Sequence, residues 1–297
     1  MTKDEIFLDY RNLLFSIAYD MLGSVAEAED MVQETYLKWT ASSEKVLYPK
    51  AYLVKIVTHL SINYLDLARK KREQYIGMWL PGPLVQRAGT TSFQPADIYH
   101  ALSIGMMVLL EKLTPLERAV FLLKEIFSYD HHEVAEIIGK TEDNCRQLLT
   151  RAKKQLGNDH RRFRIDLQAH EDILNRFIHA CNEGDIQSLI GLLKEDISLY
   201  ADGGGSSFGT GEQRITAITQ PMHGADKVSK FIIAVTSRFR TVVPNPLSKV
   251  VLVNGLPSLI NYSGDIPVNI ISLEVEDGKI TQVYSHSNPE KIKASGL

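Results

Sequence analysis

Apolar residues recur at helical spacing from the start of the chain. Ile6, Phe7, Tyr10, Leu13, Leu14, Ile17, Ala18, Met21 and Leu22 predict a helix over 4–22, which Gly23 ends. Ser24 and Glu27 have the spacing of a capping box and open a second helix running to about Trp39. Pro49 suits a first helical turn. The third helix it starts buries Tyr52, Leu53, Ile56, Val57 and Leu60 and ends in four consecutive cations, Arg69, Lys70, Lys71 and Arg72. Glycines and prolines then break the pattern over 76–97, which reads as an interdomain linker. Trp79 and Leu80 are large apolar residues to leave in water, so part of that linker is expected to dock on a domain.

Helices resume around Ile98. Thr114-Pro115-Leu116-Glu117 makes a second capping box, and Asp130 with Glu133 a third. A short helix from Asp130 to Ile138, a Gly139-Lys140 turn and a helix capped by Thr141 make a helix-turn-helix. On its second helix, Cys145, Leu148, Leu149, Ala152 and Leu156 share one face. Arg146, Gln147, Thr150, Arg151, Lys153 and Lys154 occupy the rest, and these are residue types that meet base edges and phosphates. An amphipathic helix with a basic outer side has the same pattern. Past about Asp166 two helices (about 167–181 and 185–193) lead into alternating segments at 197–200, 249–253, 258–262, 268–275 and 280–284. Glu276-Asp277-Gly278-Lys279 is a hairpin turn between the last two. The expected layout is a domain over 1–75, a linker over 76–97, a helix-turn-helix domain over 98–165 and a separate α+β domain over 166–297.

The 297 residues allow two or three domains, and the net charge of −3 hides strong local polarity. Residues 1–48 carry four Lys/Arg against nine Asp/Glu, whereas 140–164 carry eight against three. Local basic surfaces, not overall charge, meet phosphates. The second helix presents Asp30, Gln33 and Glu34 as an acidic-polar stripe, which suits docking on a protein. Cys145 and Cys181 fall inside apolar helical patterns and read as reduced, packed thiols. No apolar run is long enough to span a bilayer and the N-terminus lacks a signal-peptide pattern, so a cytoplasmic protein with no membrane partner is expected.

Several motifs in order carry a family resemblance. Ala28-Glu29-Asp30-Met31-Val32-Gln33-Glu34-Thr35-Tyr36 and Pro49-Lys50-Ala51-Tyr52-Leu53 resemble region 2 of extracytoplasmic-function (ECF) sigma factors. Leu113 to Arg118 and the helix-turn-helix through Lys153 resemble region 4. The resemblance covers about residues 4–160 and implies two all-α sigma domains that bring core RNA polymerase to promoter DNA. By position, it implies that Asp30, Gln33 and Glu34 dock on the β′ clamp and that region 4 meets the β flap. His59, Asn63 and Arg69–Arg72 would approach the −10 element, and the helix from Glu142 to Leu156 would read the −35 element. The family often has Asn near His59 and Asp near Asn63, which leaves the −10 preference open. Tyr64 suits either base stacking or a core position.

The last 130 or so residues are similar to the SnoaL-like, nuclear transport factor 2-like cone fold, whose concave side often holds a pocket with room for a small ligand. A sigma-factor subgroup carries this extension. Trp79-Leu80-Pro81-Gly82-Pro83 resembles its linker motif, with Gly82 where an acidic residue is usual. Asp202-Gly203-Gly204-Gly205 resembles its glycine motif, and Asn288-Pro289-Glu290-Lys291-Ile292 its terminal motif. The resemblance implies that these segments contact the sigma core and control polymerase binding. The glycines permit backbone conformations closed to other residues, as in an anion nest. Asp202, His223 and His286 are the candidates for acid–base chemistry in such a pocket. The expected role is not enzymatic, and no cofactor is expected; the His131-His132 tandem lacks metal-ligand spacing. The alternative reading is a ligand-sensing helix-turn-helix regulator that is not a polymerase subunit.

Overall fold

The computed structural model describes residues 2–42, 46–72, 75, 77–86, 102–157, 166–204, 207–208 and 215–297. It divides into two compact units, one taking the described parts of 1–74, 90–102 and 106–163, the other those of 75–89, 103–105 and 164–297.

In the first unit, α1 (Lys3–Leu22) starts at a complete Thr2–Glu5 capping box and ends at Gly23, where φ is +68°. Helix α2 (Val25–Ala41) is capped by the Ser24 side chain on the Glu27 amide. The expected return bond gives way to another: Glu27 Oε1 accepts from Tyr64 Oη at 2.5 Å, tying α2 to α3 (Pro49–Arg72). Tyr64 is therefore a packing residue here. Ile17 and Met21 of α1 are buried with Val32 and Trp39 of α2 and Leu53 and Val57 of α3, and Phe15 and Tyr19, outside the stripe read above for α1, are buried as well.

The helix expected from Ile98 falls partly outside the described residues; α4 spans Ile104–Leu110. The Thr114–Glu117 box opens α5 (Pro115–Phe121), which widens into a π-turn over Leu122–Ile126. Helix α6 (His131–Ile138) has the Asp130–Glu133 box and ends at Gly139 in the left-handed region. Thr141 then caps α7 (Glu142–Leu156). Arg118 joins the halves of this unit. Its buried guanidinium donates to the Leu110 carbonyl, to the Met21 carbonyl at 2.7 Å, and to Glu111.

The second unit carries β1 (Val85–Gln86), α8 (Leu167–Glu183), α9 (Ile186–Leu192), β2 (Leu193–Asp202), β3 (Ser207–Phe208), β4 (Ile215–Thr216) and β5 (Met222–His223). These are followed by α10 (Ala225–Val242), β6 (Pro246–Val253), β7 (Leu256–Ser263), β8 (Ile266–Glu276), β9 (Lys279–His286) and α11 (Pro289–Ala294). Seven strands form one sheet in the order β1-β6-β7-β8-β9-β2-β5, while β3 and β4 pair separately. Two results depart from the sequence reading. Helix α10 occupies a stretch read as β-rich, although Val228, Ile232, Val235 and Phe239 repeat at helical spacing. Segment 77–86, read as linker, supplies an edge strand, with Val85 opposite Val253 and Gln86 opposite Leu252.

The two faces of this sheet differ. Leu199, Ile271 and Val283 lie in a core with Phe177, Leu174 and Ile232 from α8 and α10. The alternate residues Ile260 and Ile270 pack with Val253, Val85 and Ile292 of α11. Cys145 and Cys181 are buried free thiols, and burial pushes the Cys181 thiol up to about 12. No described helix is long and apolar enough to cross a membrane.

Candidate polymerase, DNA and strap-binding faces

On α2, Asp30 and Gln33 are exposed and Glu34 half-buried, opposite the buried Val32, Thr35 and Trp39. Glu34 pairs with Lys38 at 3.5 Å. Gln33 also lines a surface groove between α1 and α2, with Phe7, Arg11 and Val32 at its base; Leu8 and Leu37, which line it too, are strongly exposed. An acidic-polar stripe bordering exposed leucines has the composition of a protein-docking face.

On α3 the candidates separate. Asn63 is exposed, but the His59 ring is committed: its Nε2 lies 2.8 Å from the Ile137 carbonyl on α6. Arg69, Lys70, Lys71 and Arg72 close α3, their side chains outside the described set. On α7, Arg146, Gln147, Thr150, Arg151 and Lys154 are exposed, while Cys145, Leu149, Ala152 and Leu156 are buried. Lys153 is tethered 2.8 Å from Glu125 of the π-turn, and Arg146 pairs with Glu142 one turn back. Gln147, Arg151 and Lys154 thus form the outward strip of the helix-turn-helix.

The three weak motifs converge inside the second unit. The Asp202 carboxylate is fully buried at the end of β2. It accepts from Tyr75 Oη at 2.5 Å, the Leu80 amide at 2.9 Å, the Gly204 amide at 3.2 Å and Lys291 Nζ at 2.6 Å. Lys291 also donates to the Leu80 carbonyl and lies 4.3 Å from the Trp79 ring centre, a cation–π contact. Asn288 donates to Tyr75 Oη at 2.7 Å, and its own Oδ1 caps Glu290 at the start of α11, where Pro289 takes the first turn. Burial, aided by the Asp202 carboxylate at its hydroxyl, pushes the Tyr75 phenol well up. Residues 80–85 are buried as a strap against this unit.

Gly204 sits at φ +55°, and a β-carbon there would stand 2.5 Å from Asn288 Nδ2. The glycine motif is thus needed for close approach. It is not an open anion nest, because the Asp202 carboxylate already takes the Gly204 amide. Gly203 is buried, and Gly205 lies outside the described residues.

Two of the acid–base candidates, Asp202 and His286, are cross-strand partners on β2 and β9, while the third, His223, stands opposite Ser198 farther down β2. His286 donates from Nε2 to the Pro81 carbonyl at 2.9 Å, and burial holds it down at about 4. His223 is exposed beside Ser198. A cavity of about 330 Å³ lies between α8, α10 and the sheet, and Asp202, His223 and His286 are not among its lining residues. Among the described residues no group of His, Cys, Asp and Glu is arranged to hold a metal ion.

Family models for Sigma-70 region 2 and Sigma-70 region 4 match residues 6–72 and 105–156. The ECF RNA polymerase sigma factor SigJ of Mycobacterium tuberculosis is 32% identical over 97% of this chain and 92% of its own length. The chain belongs to the extracytoplasmic-function RNA polymerase sigma factors. A probable ECF sigma factor, SigI, from the same organism is 27% identical over 95% of this sigma factor and 92% of its own chain. The crystal structure of SigJ superposes with a TM-score of 0.76 at 30% identity, covering 97% of this chain and 98% of that one. This sigma factor is thus a promoter-recognising protein with two all-α sigma domains followed by a helix-and-sheet domain, the layout it shares with SigJ.

Sequence reasoning missed Tyr75 and Asn254 as parts of the strap site, whereas Pro81 stood in the linker motif it singled out. Asn254 takes the Leu84 amide on its side chain at 3.0 Å and donates its own amide to the Leu84 carbonyl. The one available signal was Asn254-Gly255, a turn pair that places residue 254 in the hairpin between β6 and β7.

Proposed function

We propose that this sigma factor rests in a closed state in which its −10 and −35 readers are packed together, and that its C-terminal unit governs opening through the strap. The His59–Ile137 bond carries the reading, because it joins the candidate −10 helix to the first helix of the helix-turn-helix. Elements centred near −10 and −35 are about 25 base pairs apart, roughly 85 Å along B-form DNA. Helices packed within hydrogen-bonding distance do not reach both at once. Opening is therefore required for initiation.

The chain between the readers, residues 73–103, extends to at most about 110 Å. Each strap residue held in the C-terminal unit shortens that reach by up to about 3.4 Å. Release of residues 77–86 frees the tether. In the open state Asp30, Gln33 and Glu34 dock on the polymerase β′ clamp and region 4 meets the β flap. His59, Asn63 and Arg69–Arg72 face the −10 element, and Arg146, Gln147, Thr150, Arg151, Lys153 and Lys154 the −35 element. The work is done in the cytoplasm, by binding and without catalysis, a reading supported by Asp202, His223 and His286 standing outside the cavity's lining.

The test places spin labels on the exposed positions Lys55 and Glu136 and measures their separation free and on promoter DNA with core polymerase. A short distance that lengthens to tens of ångströms is expected. A distance unchanged in an initiating complex overturns the closed-state reading.

A further inference from the structure

We propose that the cavity of the C-terminal unit is a receptor for an uncharged amphipathic small molecule bearing a hydrogen-bond acceptor, and that its occupancy tightens the strap. The walls are apolar side chains such as Phe177, Ile232, Leu259, Ile271 and Val283. At about 330 Å³ the cavity is within the range of small-molecule sites. Among the described residues the lining contains no Asp, Glu, His or Lys. The one charged residue among those described in it, Arg240, is exposed and already donates to the Asn182 backbone carbonyl and side-chain oxygen at 2.9 and 2.6 Å. No described residue of the interior compensates a ligand charge, so an ionised molecule would be bound at a desolvation cost.

One strip of the cavity is polar, and it is ordered. Ser248 Oγ donates to Asn261 Oδ1 and Asn261 Nδ2 to Asn269 Oδ1. Asn269 Nδ2 in turn donates to the Ser285 and Ser287 hydroxyls at 2.8 and 2.9 Å. Each serine accepts from Asn269, which leaves its own proton to donate into the cavity. A ladder that ends in two hydroxyl donors selects a carbonyl or ether oxygen.

Strand alternation links this strip to the strap. Ser285 and Ser287 line the cavity, while His286, between them, donates to the Pro81 carbonyl on the other face. Asn288, next in the chain, holds Tyr75. The Ser287 amide donates to the Asp202 carbonyl at 2.7 Å, and Asn269 also reaches the His286 carbonyl. A ligand oxygen that fixes residues 285 and 287 fixes the backbone that presents residues 286 and 288 to the strap.

The coupling to transcription rests on the strap reading proposed above; binding and tightening are tested without polymerase. The full chain is titrated with prodan, an uncharged naphthalene ketone whose emission moves to the blue in apolar surroundings. Acetonaphthone, and ethylnaphthalene which lacks the carbonyl, serve as competitors. Amide exchange at Leu80 and Leu84 is followed at saturating acetonaphthone. The expected result is a saturable blue shift, a preference of about tenfold for the ketone competitor, and slower exchange at both leucines. Ala217→Trp, which fills the cavity, should abolish the shift. Ser285→Ala should keep binding but narrow the ketone preference, and it serves alone if the tryptophan variant does not fold. No saturable shift, a shift that survives Ala217→Trp, or equal affinities for both competitors overturns the receptor. Binding with unchanged Leu80 exchange overturns the tightening.

Discussion

Lys291 Nζ lies 2.6 Å from Asp202 Oδ2 and 2.5 Å from the Leu80 carbonyl, so one ammonium ties α11, the end of β2 and the strap together. Asp202 is fully buried, and its remaining oxygen valences are filled by Tyr75 and two backbone amides. Removing one member of such a pair leaves the other buried without compensation, at about 3–5 kcal/mol. Asp202→Asn should therefore lower the urea-unfolding free energy by about 3 kcal/mol and speed Leu80 amide exchange well beyond the change in global stability. Unchanged exchange at Leu80 would mean that packing alone holds the strap.

Gly204→Ala meets two obstacles, a left-handed backbone and the Asn288 side-chain nitrogen. The backbone conformation alone costs about 1–2 kcal/mol. Displacing Asn288 also releases the Tyr75 hydroxyl it holds. The expected outcome is a chain that folds, loses about 2 kcal/mol in thermal or urea melts, and becomes more sensitive to proteolysis within 77–86. Alanine at Gly184, which also has positive φ but open space around it, is the control and should show the backbone cost alone.

Acid should loosen the strap. Burial lowers His286 in the folded chain to about 4, below its ordinary value, so the unfolded state binds its proton first. The stability His286 confers is fully present above about 6.5 and is lost as pH falls from there through about 4, up to about 3 kcal/mol in all. His170, buried against the Leu273 carbonyl, is also lowered and acts in the same direction. Melting temperatures measured between pH 7.5 and 4.5 should fall less steeply for His286→Gln, which keeps a donor for Pro81 and does not charge. An identical slope would place the dependence elsewhere.

The outward strip of α7 should divide by chemistry. Gln147→Ala should relax preference at one −35 base pair, about 1–3 kcal/mol between cognate and substituted promoters. Lys154→Ala should weaken binding to all promoters alike and flatten the salt dependence by about one unit of slope. Competition binding at several salt concentrations separates the two. A sequence-dependent effect of Lys154→Ala would reverse the assignment.

Local chemistry determined much of this protein. Capping pairs such as Thr114–Glu117 and Asp130–Glu133 act within one turn, and apolar spacing marks buried helix faces, so α1–α3, α6 and α7 were legible along the chain. So were strands β6 to β9, and the short motifs that carried the family resemblance. Tertiary structure alone decided the rest, because the partners are far apart in sequence. Asp202 meets Tyr75 and Leu80 across more than a hundred residues, and His59 is drawn to a backbone carbonyl on α6 that has no side-chain signature. Segment 77–86 has the glycines and prolines of a linker, yet Val85 becomes a sheet edge because β6 presents an unpaired row of amides and carbonyls beside it. The cavity likewise has no trace in any one segment; it exists because α8 and α10 stand across the sheet from residues that alternate toward them.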